Sequence, residues 1–382
     1  LAPLELYQKI WVKSSFLETE MGKIACQDCH GGDPKDSDWQ TAHDGIVKDP
    51  TFPEADEACG ECHEDIVSTA KNSLHYTLAP FGRIIKARAT KTDGKALAKI
   101  CRAKEKHCNN CHASCGQCHV SRPDYVKGGF LDKHNFQKTP PMGTTCAACH
   151  GGRVYGEFTG LKKEYAADIH YESKKMTCTG CHTAKEMHAD ARGADNRFDI
   201  PDRPNCLNCH EEVVSAKPKT HSHMIHKDRV ACQVCHAQAN KNCFGCHVGT
   251  DKKGLPYFKC KETKILFKIG LNPKKSKDRP YDYVVLRHPP ADPGLFDFYV
   301  KNGLSDFHVL PTWKLETPHN IRRKTPQNKE CNNCHGKASL FLNKDDMAEW
   351  ELKANAGVIV PKARIPKVIK SDTLLINNIP LF

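Results

Sequence analysis

The chain has 382 residues, of which 39% are hydrophobic and 8% aromatic, with a formal charge of +12 and 22 cysteines. A mean hydropathy of −0.60 and the lack of any apolar run near the roughly 18 residues of a membrane helix exclude embedding by the chain's own helices. The lysines and arginines are spread along the chain rather than gathered into one stripe, which argues against nucleic-acid binding.

Ten copies of Cys-x-x-Cys-His punctuate the sequence. In chain order they are CQDCH (Cys26, Cys29, His30), CGECH (Cys59, Cys62, His63), CNNCH (Cys108, Cys111, His112), CGQCH (Cys115, Cys118, His119) and CAACH (Cys146, Cys149, His150). CTGCH (Cys178, Cys181, His182), CLNCH (Cys206, Cys209, His210), CQVCH (Cys232, Cys235, His236), CFGCH (Cys243, Cys246, His247) and CNNCH (Cys331, Cys334, His335) follow. This pentapeptide is the attachment site of a c-type haem. The two thiols form thioethers with the porphyrin vinyl groups, and the adjoining imidazole takes one axial position on the iron. Zinc sites also use Cys-x-x-Cys, but zinc chemistry does not force a histidine at the very next position ten times over. The expected cofactor is therefore ten covalently attached haems.

Haems change the reading of composition. Large flat apolar cofactors at this density supply buried surface that the chain lacks. The expected fold is mainly α and irregular, with short helices and long loops around a chain of haems and minimal β. Ten haems bring about −20 of propionate charge and roughly +10 of ferric charge, so the holoprotein sits near neutrality and the basic residues serve as propionate partners.

Taken along the chain, residues 1–250 form a haem-rich region with nine motifs. Cys108 and Cys115 are one heptad apart; in a helix, His112 and His119 would share a face about 10 Å apart along the axis. Cys232 and Cys243 make a looser pair. Residues 251–330 carry no motif and nine prolines, and are expected to form an irregular lobe with one small hairpin that supplies distal ligands. The tenth motif occupies 331–354. The tail, 355–382, is rich in Val, Ile and Leu, and Pro361, Pro366 and Pro380 prevent a continuous helix. Such a segment must bury itself, either on its own subunit or across a contact with a neighbour.

Each iron needs a second axial ligand. Twelve histidines lie outside the motifs: His43, His75, His107, His134, His170, His188, His221, His223, His226, His288, His308 and His319. Ten are expected to be ligands. His107 is the weakest candidate because it abuts Cys108, and His221 competes with His223 and suits a propionate. Met21, Met142, Met176, Met187, Met224 and Met347 are no excess and are read as packing residues. An iron with two imidazoles has no open position, so such a centre relays electrons instead of binding substrate.

Two cysteines, Cys101 and Cys260, fall outside the motifs. They form either one disulfide or two separate thiols. Covalent haem and an even leftover pair both point to an exported protein. No signal peptide is visible, and Leu1 fits a processed start.

CNNCHASCGQCHVSRP at 108–123, with GGF and KHNF after it, resembles the multihaem c-type cytochromes of metal- and sulfur-respiring bacteria. CAACHGGRVYGEFTG at 146–160, DIHY at 168–171, CTGCHTAKEMH at 178–188 and PTWKLETPHNIRRKTPQN at 311–328 extend the likeness. The group includes octahaem tetrathionate-reductase-like proteins and extracellular cytochromes of iron-reducing bacteria, some of which polymerise into conductive filaments. The resemblance implies His134, His170, His188 and His319 as distal ligands. The chain departs from the octahaem reductases in having ten motifs and a long apolar tail. The expectation is an exported electron conduit, at the cell surface, outside the cell or in the periplasm. Its expected partners are other multihaem cytochromes, a metal oxide acceptor, or further copies in a filament. The alternative is a reductase of a small sulfur or nitrogen oxyanion.

Overall fold

The computed structural model describes residues 2–53, 55–161, 165–214 and 220–370. The chain is mainly helical and irregular, with two small antiparallel sheets. Most helices are single turns. Three have ten residues or more: α1 (Glu61–Ala70), α2 (Ala79–Arg88) and α3 (Gly94–Cys108). The sequence of α3 is rich in Ala and Lys, both strong helix formers. The Asp93 carboxylate accepts from the Lys95 and Ala96 amides and caps its first turn. Ile100, Ala103 and His107 are buried along one side at helical spacing.

The chain divides into two compact units that interleave in sequence. The first comprises Leu1–Arg83, Lys104–Gly152 and Thr177–Arg203. It contains the motifs starting at Cys26, Cys59, Cys108, Cys115, Cys146 and Cys178. The second comprises Ile84–Ala103, Arg153–Met176 and Pro204–Phe382. It contains the other four motifs and all five named strands.

The second unit has two apolar cores. One lies around the sheet β3 (Lys268–Leu271), β4 (Tyr283–Arg287) and β5 (Lys314–Leu315), with β4 central. Val284, Val285 and Leu286 are all buried, as a central strand covered on both faces requires. Ile269, Trp313, Phe341, Leu342, Val358 and Val360 complete it. The other core gathers Ile85, Ile100, Val248, Phe296 and Phe307.

More β-structure is present than the sequence suggested. β1 (Asn240–Thr250) and β2 (Pro256–Leu266) form an eleven-residue antiparallel hairpin, and β1 contains the whole ninth motif. β2 is exposed over most of its length, so it lacks the buried-face alternation that marks a strand in sequence. The tail is buried at Val358 and Val360 on its own unit. Residues 371–382, the rest of the tail, lie outside the described residues.

Candidate metal and cofactor sites

Nine of the ten motifs sit in helical turns. Cys26–His30, Cys115–His119 and Cys232–His236 are single α-turns. Asn109–Cys111, Cys178–Gly180, Cys206–Asn208 and Cys331–Asn333 are 3-10 turns. The motifs at Cys59 and Cys146 run from a wider turn into a helix. A helical turn carries residues i, i+3 and i+4 on one side, so both thiols and the imidazole face the same region. The ninth motif is the exception, lying in β1 with Gly245 at φ 58°.

Six motif histidines each face a histidine from outside the motifs. Ring centroids are 5.9 Å apart for His30 and His134, 6.2 Å for His150 and His75, and 6.2 Å for His119 and His188. They are 6.0 Å apart for His210 and His170, 6.1 Å for His236 and His223, and 6.2 Å for His335 and His226. Two metal–imidazole bonds of about 2 Å each, with the radius of each ring added, put centroids roughly 6 Å apart across one metal. The spread of the six values is narrow, and every pair joins one motif residue to one residue outside the motifs.

The outer ring nitrogens of seven of these residues are engaged, while Nδ1 of His134 is buried without a hydrogen bond. A carbonyl oxygen accepts from Nδ1 of His30 (Val47, 2.7 Å), His119 (Gln137, 2.7 Å), His226 (Ser222, 2.9 Å), His236 (Arg322, 3.1 Å) and His335 (Lys367, 3.1 Å). The Asp168 carboxylate accepts from His170 Nδ1 at 2.8 Å, and Thr220 Oγ1 lies 2.7 Å from His223 Nδ1. A carbonyl can only accept, so the proton is fixed on Nδ1 and the lone pair on Nε2. Burial favours the same neutral form. It brings His75 down to about 4, with His150 and His182 adding to the effect. Burial also lowers His134, His188, His223 and His226 from their ordinary value.

The other four motif histidines have different surroundings. His112 lies among Phe52 and Tyr76, with centroids at 4.1 and 5.1 Å, and its Nε2 is buried without a hydrogen bond. His182 donates from Nδ1 to Glu186 at 2.7 Å. His247 donates from Nδ1 to the Gly294 carbonyl at 2.9 Å, and its Nε2 is 3.7 Å from Asp292. His63 is exposed, at a kink within α1.

The remaining expected ligands are scattered. His43 donates from Nδ1 to the Trp39 carbonyl at 2.7 Å. His308 is exposed beside Phe307 and Trp350. The backbone amide of His319 donates to Glu157 at 3.3 Å. His288 is committed to the protein. Its Nε2 donates to Glu351 at 2.8 Å, and Nδ1 faces the Pro289 carbonyl at 2.8 Å. In this arrangement the nitrogen a ligand would present is already used, which corrects the expectation for that residue. The two weaker candidates also stand apart from the pairs, His107 buried in α3 and His221 exposed.

Thiols of different motifs come together. Cys111 adjoins Cys149, Cys146 adjoins both Cys178 and Cys118, and Cys232 adjoins Cys206. Burial pushes Cys118 and Cys235 up to about 12, with neighbouring thiols adding to the rise. A thioether carries no proton and loses nothing by such burial. Cys101 is half-buried in α3, and Cys260 is exposed, opposite Cys246 on the hairpin.

Sequence reasoning named the ligand pool but missed the residues that orient it. Asp168 two positions before His170, and Glu186 four after His182, are local enough to have been found. Among the described residues, no three His, Cys, Asp or Glu side chains converge on one metal position. Compared with known protein families, curated proteins and solved structures, the chain matches none.

Proposed function

We propose that the chain is a decahaem c-type cytochrome that carries electrons over long range outside the cytoplasm. The observation that carries this reading is the set of six opposed histidine pairs at 5.9–6.2 Å. Each pair would supply two imidazole nitrogens to a haem iron, and the adjacent thiols suit its covalent attachment. The buried Nε2 of His112, which makes no hydrogen bond, fits the same donor role.

When bound, each haem would supply a one-electron ferrous–ferric couple. The residues do the rest. The two cysteines of each motif fix the cofactor covalently. His30, His150, His119, His210, His236 and His335 would hold the iron from the motif side, and His134, His75, His188, His170, His223 and His226 from the other. Two imidazoles on one iron would keep substrate off it and favour relay over catalysis. Nδ1 hydrogen bonds orient seven of these twelve rings. His43, His308 and His319 remain candidates for the irons of His63, His112, His182 and His247. The acceptor we infer is another multihaem cytochrome or an extracellular metal oxide, and the apolar tail suits assembly of copies into a filament. No described helix is long and apolar enough to cross a membrane.

Intact-mass measurement of native protein tests the cofactor. Ten haem adducts are expected, and substantially fewer would overturn the reading. A second reading, reduction of a small sulfur or nitrogen oxyanion, needs one open iron. His112 favours it, because Phe52 and Tyr76 rather than a histidine surround its ring. Carbon monoxide or cyanide binding to one haem per chain would select that reading, and inertness of all ten would remove it.

A further inference from the structure

The last described stretch of the chain lies against the tenth motif. It arrives there firmly held. The Leu271 amide donates to the Val358 carbonyl at 3.0 Å, and the Val360 amide to the Leu342 carbonyl at 2.9 Å. The Tyr283 hydroxyl donates to the Arg364 carbonyl at 2.8 Å. The chain then runs past residues 331–336 and bonds to three of them. The Gly336 amide donates to the Pro366 carbonyl at 2.7 Å, and His335 Nδ1 to the Lys367 carbonyl at 3.1 Å. Asn332 and Ile369 exchange two hydrogen bonds, each 2.9 Å. Gly336 has φ 75°, and a Cβ there would collide with Val368, so only glycine lets the strand lie this close.

The motif sequence alone does not create this contact. The other CNNCH, at 108–112, uses its asparagines differently. Asn110 donates to the Lys106 carbonyl at 3.0 Å, and Asn109 Oδ1 is buried without a partner. Other motif imidazoles take their acceptors from well inside the chain, as His30 does from Val47 and His119 from Gln137. His335 takes its acceptor from the segment that leads into the apolar terminus.

We propose that Pro366–Ile369 is an outer clamp that positions His335 and sets its strength as a donor, tuning the tenth centre separately from the rest. The proposal rests on the cofactor reading above. A carbonyl accepting from Nδ1 makes Nε2 a stronger donor, and a stronger axial donor favours the ferric state and lowers the potential. Asn332 latches the clamp from within the motif, and Gly336 provides its clearance. Lys367 acts through its backbone carbonyl, so its side chain is dispensable.

Two truncations of the full chain separate the clamp from the terminus beyond it. Ending after Lys370 keeps the clamp, and ending after Ile365 removes it. Redox titration followed optically, low-spin EPR and intact mass are read on both, and on Asn332→Ala and Asn332→Gln. The shorter chain is expected to retain ten adducts, shift one potential in ten upward and alter one low-spin signal. The chain ending at Lys370 is expected to match the full-length protein. Asn332→Ala should move the same centre in the same direction by less, and Asn332→Gln should restore it in part. Ten adducts with unmoved potentials and signals in the chain ending at Ile365 would overturn the clamp and leave the cofactor reading intact. A full-length chain with no adduct on Cys331 and Cys334 would overturn the cofactor reading at that site. If the shorter chain does not fold, Asn332→Ala decides: an unmoved tenth centre overturns the clamp.

Discussion

A histidine presents Nε2 to a metal when something else already holds Nδ1. In His30, His119, His170, His226, His236 and His335 that holder is a carbonyl or a carboxylate, so the ring is oriented before any metal arrives. His288 shows the opposite use of the same side chain. Its Nε2 and the Thr312 hydroxyl both donate to Glu351, and Asn355 closes the buried network by accepting from the Thr312 and Trp313 amides at 3.1 and 2.8 Å. Burial alone would raise Glu351, yet these hydrogen bonds prevail and hold it below its ordinary 4.5. A carboxylate depressed on folding stabilises the fold above its unfolded value, and that contribution drains away as pH falls through the folded value. The thermal midpoint should therefore drop as pH falls below about 4.5, the ordinary carboxylate value, and Glu351→Gln should flatten that limb; calorimetry across pH 3–7 reads both. At an opposed pair, His188→Ala should convert one centre in ten from low-spin to high-spin without changing the number of adducts, as read by EPR and intact mass. The motif histidines could be singled out from sequence because the pentapeptide fixes their place beside its second cysteine. Their partners were legible only as a pool, because His188 meets His119 and His226 meets His335 through folding.

Short turns carry nine motifs because the motif needs only one turn, and the segments between them need only reach the next site. The three-stranded sheet is different: it is an ordinary core, legible in part as the small hairpin expected within residues 251–330. Leu286 is fully buried there, so Leu286→Ala should cost about 2–5 kcal/mol of stability by denaturant titration, with unchanged optical spectra. The β1–β2 hairpin was not legible. Its outer strand is exposed, and its inner strand is occupied by a motif that elsewhere forms a helical turn, so neither half carries a buried alternation. At the other end of the unit, Gly336→Ala should displace the terminal strand. A left-handed backbone and a collision with Val368 coincide at that position, and the expected loss is about 1–2 kcal/mol.

Interleaving gives each compact unit several motifs from distant stretches, and it brings thiols of different motifs side by side. Cofactors attached at such thiols would lie close together, as a relay requires. Assembly belongs to this same level. If residues 371–382 join one copy to the next, a chain ending at Lys370 should keep ten adducts and lose filaments in electron micrographs. Filaments of unchanged length would remove the tail from that role. The sequence by itself determined where ten Cys-x-x-Cys-His motifs fall and how many histidines lie outside them, because each motif is written within five consecutive residues. The tertiary structure decided which histidines oppose each other, which one is spent on a carboxylate, and which carbonyl holds His335. Those are contacts between residues far apart in the chain, and their partners are chosen by packing rather than by local spacing.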